Sequence, residues 1–334
     1  LTAGAVIAQA QPPAERVIAW GNQSFDGRLR GDRLVEVSAG QGHSVARRAD
    51  GSVVVWGYNW FNQTSVPAPP PGMRYEHIAA GDHHTLALRS DGNVVGWGWS
   101  ILGMLDVPPL PSGVTYTQAS AGFRHGAALR SDGNIVVWGY LPEGLDRVPA
   151  LPAGVRYTRV ASGFQHCVAL RSDGAIVAWG WNFNGQCNVP NLTSDKECVE
   201  VAAGHRHSLA LFRDGSILAW GDNTRGEGDV PALPPGLRYV SLEAGGRHAI
   251  AFRSDGVMVI WGWNTDGQTI VPPLPPGLRY VAAAGGWSHT VALRSDGSVV
   301  AWGLNDRSQC NVPELPPGVR YLSTSSGVDH HLAL

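Results

Sequence analysis

The sequence predicts an all-β protein, a β-propeller of eight blades, each built from a repeat of 41 residues. Three observations predict it. Eight histidines (His43, His84, His125, His166, His207, His248, His289 and His330) recur at steps of 41, each with a Gly three residues before it. Eight Trp-Gly pairs recur with them, at Trp20, Trp56, Trp97, Trp138, Trp179, Trp220, Trp261 and Trp302, with steps of 41 after a first step of 36. Between each His and the following Trp-Gly, apolar residues alternate on both sides of an Asp-Gly pair, a strong hairpin signal. A 40-residue period of antiparallel strands with no helical pattern marks propeller blades.

Each element follows from the repeat. In "HTLALRSDGNVVGWG", 84 to 98, a two-residue turn at Asp91-Gly92 sets Leu88 against Val95, Leu86 against Trp97 and Ala87 against Gly96. One face of the hairpin is then large and apolar and the other small. A further strand precedes the Gly, as in "LRYVSLEAG" at 237 to 245. The Pro-rich linkers, such as "VPPLPPG" at 271 to 277, cannot be central strands, because Pro donates no ladder hydrogen bond. The chain opens with a lone "RVIAWG" at 16 to 21 and closes with "HHLAL" at 330 to 334, each half of a hairpin. Together they complete an eighth blade and close the ring. A seven-bladed ring with an irregular unit is the fallback.

The repeat fills residues 16–334 as one propeller domain. Residues 1–10, "LTAGAVIAQA", read as the tail of a signal peptide with Ala8-Gln9-Ala10 as the cleavage site, and 11–15 as a short linker. The expected location is secreted or extracytoplasmic. A net charge of -2 argues against nucleic-acid or membrane-surface partners. Cys187 and Cys198 flank one linker and are the candidate disulfide in an oxidising compartment.

The sequence also divides the two ends of the propeller. The "RSDG" turns lie at one end of each hairpin. The Gly-x-x-His entry and the Trp-Gly exit, which vary most, lie at the other and form a crown. Of 13 Trp, 8 Tyr and 7 Phe, twelve fall in these variable segments: Phe25, Tyr58, Trp60, Phe61, Trp99, Phe123, Tyr140, Phe164, Trp181, Phe183, Trp263 and Trp287. Solvent-facing loops have no folding reason to collect Trp and Phe, and such residues with Arg are the usual anchors of interfaces. The candidate binding residues are ten of these aromatics, Trp60, Phe61, Trp99, Phe123, Tyr140, Phe164, Trp181, Phe183, Trp263 and Trp287, with Arg124, Arg206 and Arg247 before the repeat histidines. The bland alternative for Trp99, Trp181 and Trp263 is packing against the neighbouring blade. Trp60, Trp181 and Trp287 are the expected exposed anchors.

The histidine ring reads as structural, since one residue type filling one scaffold position in every blade is a packing device and not a ligand set. No metal site, cofactor or catalytic residue is assigned, for the chain holds no phosphate-binding Gly loop, nucleophile elbow or triad.

The pattern "AAG-x-x-H-T-x-A-L-R-x-D-G-x-V-V-x-W-G" resembles the repeat of the regulator of chromosome condensation family, over residues 16 to 334. Its compact unit is similar to secreted bacterial members, among them inhibitors of β-lactamase. The resemblance implies a monomeric propeller that grips a protein with aromatic loops on one face. A polysaccharide-binding or polysaccharide-cleaving propeller, with carbohydrate as ligand, and a structural surface or adhesive repeat protein are the other functional readings.

Overall fold

The structure, a computed structural model, describes residues 18–21, 25–26, 34–192, 196–315 and 320–333. The N-terminal segments 1–10 and 11–15 lie outside them. Eight antiparallel sheets form the molecule, seven of three strands and one of four. Blade I comprises Leu34–Ala39, His43–Arg48 and Val53–Gly57. Six further blades repeat this triplet, their first strands starting at Tyr75, Tyr116, Tyr157, Cys198, Tyr239 and Tyr280 (blades II to VII). Blade VIII joins the two ends of the chain: Thr324–Ser326 and His330–Ala333 pair with Ile18–Gly21 and Phe25–Asp26. Ala19 stands opposite Leu332 and Gly21 opposite His330, which is the expected splice.

The first strand of every blade touches the first strand of the next, and that of blade VIII touches that of blade I, so the ring is closed and eight-bladed. The core is correspondingly distributed between blades. Leu86, Leu88 and Val94 of blade II pack with Tyr116, Ala128 and Trp138 of blade III. Val45 of blade I packs with Tyr75, Ile78, Ala87 and Trp97 of blade II. Ala19 and Leu332 of blade VIII meet Leu34, Ala46 and Trp56 of blade I.

The hairpin register differs by one residue from the sequence expectation. Leu88 stands opposite Val94, Ala87 opposite Val95 and Thr85 opposite Trp97. The turn has three residues, not two. The Gly92 N–H donates to Arg89 O at 2.9 Å and the Arg89 N–H to Asn93 O at 2.8 Å. Gly92 takes φ +77°, the left-handed residue that ends a type I turn in such hairpins. Each sheet face therefore mixes large and small residues. From Trp56 to Trp302 each repeat Trp lies across from a small partner, Gly126 for Trp138 or Ser208 for Trp220, which leaves room for its indole, while Trp20 faces His331. The indole N–H then crosses to the preceding blade: Trp97 Nε1 donates to Gln63 O at 2.9 Å and Trp138 Nε1 to Met104 O at 3.0 Å.

Candidate binding face

The crown is built on the Gly-x-x-His motif. The histidine rings are fully buried and reach toward the next blade, His43 Nε2 to Thr85 Oγ1 at 2.8 Å and His166 Nε2 to Ser208 Oγ at 3.0 Å. Burial, with neighbouring histidines adding to it in most of them, pushes His43, His125, His166, His248 and His289 down to about 3. They are neutral packing groups. The Gly three residues earlier lies under its histidine ring and against the next blade's carbonyl. A Cβ on Gly40 would stand 2.4 Å from Gly81 O, and one on Gly327 would stand 2.4 Å from Gly40 O. No side chain fits this ring of contacts, so each blade must begin its crown turn with Gly.

The first residue after that Gly lines the mouth of the central channel. Gln41, Asp82, Phe123, Phe164, His205 and Trp287 are among the groups around it. Four of them form an arc of rings. Phe123 and Phe164 have centroids 4.0 Å apart, Phe164 and His205 4.0 Å, and His205 meets Trp287 edge-on at 4.6 Å. Trp287 reaches His205 across Gly246, where a Cβ would stand 3.0 Å from the Trp287 backbone. Burial pushes the Asp82 carboxyl up to about 7 against the opposing pull of Arg124, and His83 Nε2 lies 3.3 Å from Asp82 Oδ2.

The Trp-Gly exit loops carry the outer groups. A buried Gln or Glu pins most of them: Gln63 Oε1 accepts from the Phe61 N–H at 2.9 Å, and Gln186 Oε1 from Asn184 N–H at 3.0 Å. Where the position is Met104 or Leu145, the loop folds instead into a short 3-10 turn, Ile101–Gly103 or Pro142–Gly144. The sequence reading missed these pinning residues, although they recur at the repeat interval. Loops pinned this way present Trp60, 82% exposed, and Phe183, 85% exposed. Tyr58 stacks on Trp60 at 5.2 Å, and Trp181 on Phe183 at 6.3 Å.

Arginines join these groups into larger patches. The Arg124 guanidinium lies 5.1 Å from the Trp99 ring and 4.9 Å from Phe123, while Phe61 stacks on Trp99 at 5.1 Å. Arg247 is held between Trp263 at 4.6 Å and Trp287 at 4.8 Å. Arg206 lies 5.6 Å from Trp181. Arg225, absent from the sequence-derived set, also lies 4.6 Å from Trp263. Tyr140 is exposed without a ring partner among the described contacts. Of the three expected anchors only Trp60 is fully exposed. Trp181 and Trp287 are partly buried by the neighbours just named. Trp99 and Trp263 lie against residues of the preceding blade's loop, Phe61 and Arg225, so neighbour packing and exposure coexist there. The side chain of Phe25 lies outside the described residues.

The opposite end of the disc has another character. Its turns are self-satisfied, with Arg89 paired to Asp91, Arg130 to Asp132, Arg171 to Asp173 and Arg253 to Asp255. The expected Cys187–Cys198 disulfide is not formed. All four cysteines are free thiols. Cys187 sits at the crown, its Sγ donating to Trp181 O at 3.4 Å, whereas Cys198 begins the first strand of blade V beside the turn end at Phe212. The linker runs from one face of the disc to the other, so the pair is separated by the height of a blade. Among the described residues no group of three or more His, Cys, Asp or Glu is placed to hold a metal ion.

The repeat that builds this face matches the regulator of chromosome condensation (RCC1) repeat over residues 34–63, 75–103, 157–186, 198–227, 239–268 and 280–309. The chain belongs to that family. Among solved structures it is similar to Prp20p of Saccharomyces cerevisiae, with 18% identity over 95% of this chain and 90% of that one and a TM-score of 0.64. It is also similar to human WBSCR16, 17% identical over 96% and 98% of the two chains, with a TM-score of 0.60. The ectodomain of the receptor kinase CR4 from Physcomitrella patens is 21% identical over 81% of this chain and 74% of that one, with a TM-score of 0.60. At such identities the likeness is one of fold. No curated protein matches the sequence.

Proposed function

We propose that this RCC1-repeat propeller is a binding module that grips a protein through its crown. The observation that carries the reading is the placement of Trp60 and Phe183, more than four-fifths exposed, at the tips of loops pinned by buried Gln63 and Gln186. Rigid loops presenting large aromatic groups suit an interface, because little ordering entropy opposes contact. Prp20p, similar in fold, is described by its binding to Gsp1p and histones, and yeast RCC1 (Prp20) has been solved with Kap60. In its finer form the reading is a secreted propeller whose protein partner is an enzyme of the β-lactamase type, held as an inhibitor holds its target.

A second reading, carbohydrate binding, draws on the channel mouth, where Phe123, Phe164 and Trp287 stand near Asp82 and His205. Ring faces beside polar groups suit sugars as well. The two readings separate by titrating the purified chain against a panel of secreted enzymes including β-lactamases, and against soluble polysaccharides. On the leading reading an enzyme binds, and W60A/F183A weakens it by about 30-fold or more, the loss of a hot spot worth about 2 kcal/mol. Polysaccharide binding that survives W60A/F183A and is lost in Trp287→Ala would replace the leading reading with the second.

A further inference from the structure

The joint between blades VI and VII combines departures that no other joint brings together. In blades I to V the first strand carries a long polar residue seven before its repeat His (Glu36, His77, Gln118, Arg159 and Glu200), whereas blades VI, VII and VIII carry Ser241, Ala282 and Ser323. Several of these side chains cross to the next blade. Gln118 accepts from the Val160 N–H at 3.2 Å and donates to Val160 O at 2.8 Å. Glu36 Oε1 accepts from the Ile78 N–H at 3.2 Å, and Glu200 from that of Leu242. In blade VI this position is Ser241, too short to cross. The residue it would meet, Ala283, is also small; the equivalent Ala119 of blade III faces the long His77, and the other positions hold Val37, Ile78, Val160, Val201, Leu242 and Thr324.

Two truncations facing each other leave a gap. A cleft of about 630 Å³ opens there, lined among others by Ser241, Glu243, Ile250, Phe252, Tyr280 and Ala283. The backbone parts as well. The Tyr116 N–H donates to Gly92 O at 2.7 Å and Tyr239 N–H to Gly215 O at 2.9 Å across their joints, but no such bond links Tyr280 to Gly256, nor Cys198 to Gly174 at the joint of blades IV and V. A Cβ on Gly215 would stand 2.2 Å from Arg238 Cβ, whereas on Gly256 its nearest neighbour, Arg279 Cδ, would be 3.9 Å away, an openness shared with Gly174 at the joint of blades IV and V.

The cleft also holds a carboxylate that the other blades lack. Glu243 occupies a position that is Ser38, Ala79, Ser120, Ala161 or Ala202 elsewhere. Its Oε1 accepts from the Gly285 N–H at 3.2 Å, and its Oε2 bonds to no described residue. Burial, with Glu200 nearby, pushes this carboxyl up to about 7, so a cation beside it would be favoured. Arg253, already paired with Asp255, and Arg279 stand at the turn end of the cleft. Val240 and Val281, nearly half exposed, also line it.

We propose that the opened joint between blades VI and VII is a binding site for a small amine with an apolar aryl or alkyl body, the body lying between Ile250, Phe252 and Ala283 and the cationic head on Glu243. Clefts of this size, mostly apolar with one convergent charged group, are the usual form of small-ligand sites. This site is separate from the crown and does not depend on what the crown binds.

Phenethylamine is the probe, with 2-phenylethanol as its neutral counterpart, titrated by calorimetry or ligand-observed NMR at about pH 8, where the carboxyl is ionised. Wild type should bind the amine at least about tenfold tighter than the alcohol, the order of one charge-assisted hydrogen bond. E243Q should erase that difference. S241Q, which lays an amide across to Ala283 as Gln118 does to Val160, should close the cleft and abolish binding of both. W60A/F183A should bind the amine as wild type does. Should S241Q fail to fold by its melting curve, the near-isosteric E243Q decides alone. Absence of amine binding to wild type, or undiminished preference for the amine in folded E243Q, overturns the proposal.

Discussion

At the scale of single residues, two populations of tryptophan and one of histidine explain most of the molecule. The histidines have the clearest consequence. In the fold, His43, His125, His166, His248 and His289 are held down to about 3, and His84 and His207 to about 4, while an unfolded chain protonates near 6.5. Between those limits the unfolded chain binds more protons, so stability is complete above pH ~6.5 and is lost as pH falls toward 4. Asp82 and Glu243, raised to about 7, act in the opposite sense over part of this window but are two groups against seven. A melting series from pH 8 to pH 4 should therefore show Tm constant at the upper end and falling steadily below about 6.5. A flat profile would show that these histidines are not buried neutral groups. Their structural role was legible in the sequence because the same residue recurs at the same place in every blade. The reach of Trp287 over Gly246 to His205 was not, since it depends on which neighbour lacks a side chain in space.

At the scale of elements, the strands and their order were legible, while the turn was read one residue short. An Asp-Gly pair fits a two-residue turn and also the last two positions of a three-residue one. Only the cross-strand partners of Trp97 and its equivalents decide between them. The exit loops were recognised as variable, but their pinning residue was hidden inside them. Gln63, buried beneath the loop, holds the Phe61 N–H. Gln63→Ala should leave that amide unpaired and cost about 1–3 kcal/mol, as an orphaned buried donor does. Amide exchange should accelerate at Phe61 while the blade strands keep their protection. Unchanged exchange at Phe61 would mean that the loop is held by something other than Gln63.

At the scale of the whole molecule, the ring divides its labour between inter-blade packing and a crown that packing does not require. Closure was legible because the two half-hairpins at the chain ends are complementary, as the pairing of Trp20 with His331 in blade VIII bears out. The opened joint at blades VI and VII was written in the aligned repeats only as Glu243 in place of Ser or Ala, for short residues like Ser241 and Ala283 recur in other blades and gain meaning only by meeting across one gap. The exposed crown aromatics stand apart from the folding core, and paired denaturant melts of two variants test this without any partner. Trp138 is buried and its Nε1 bonds to Met104 O, so Trp138→Ala should cost about 3–5 kcal/mol. Trp60 and Phe183 stand in solvent, and W60A/F183A should lose less than about 1 kcal/mol. A crown variant that loses as much stability as Trp138→Ala would place those aromatics in the core and contradict the account of this face.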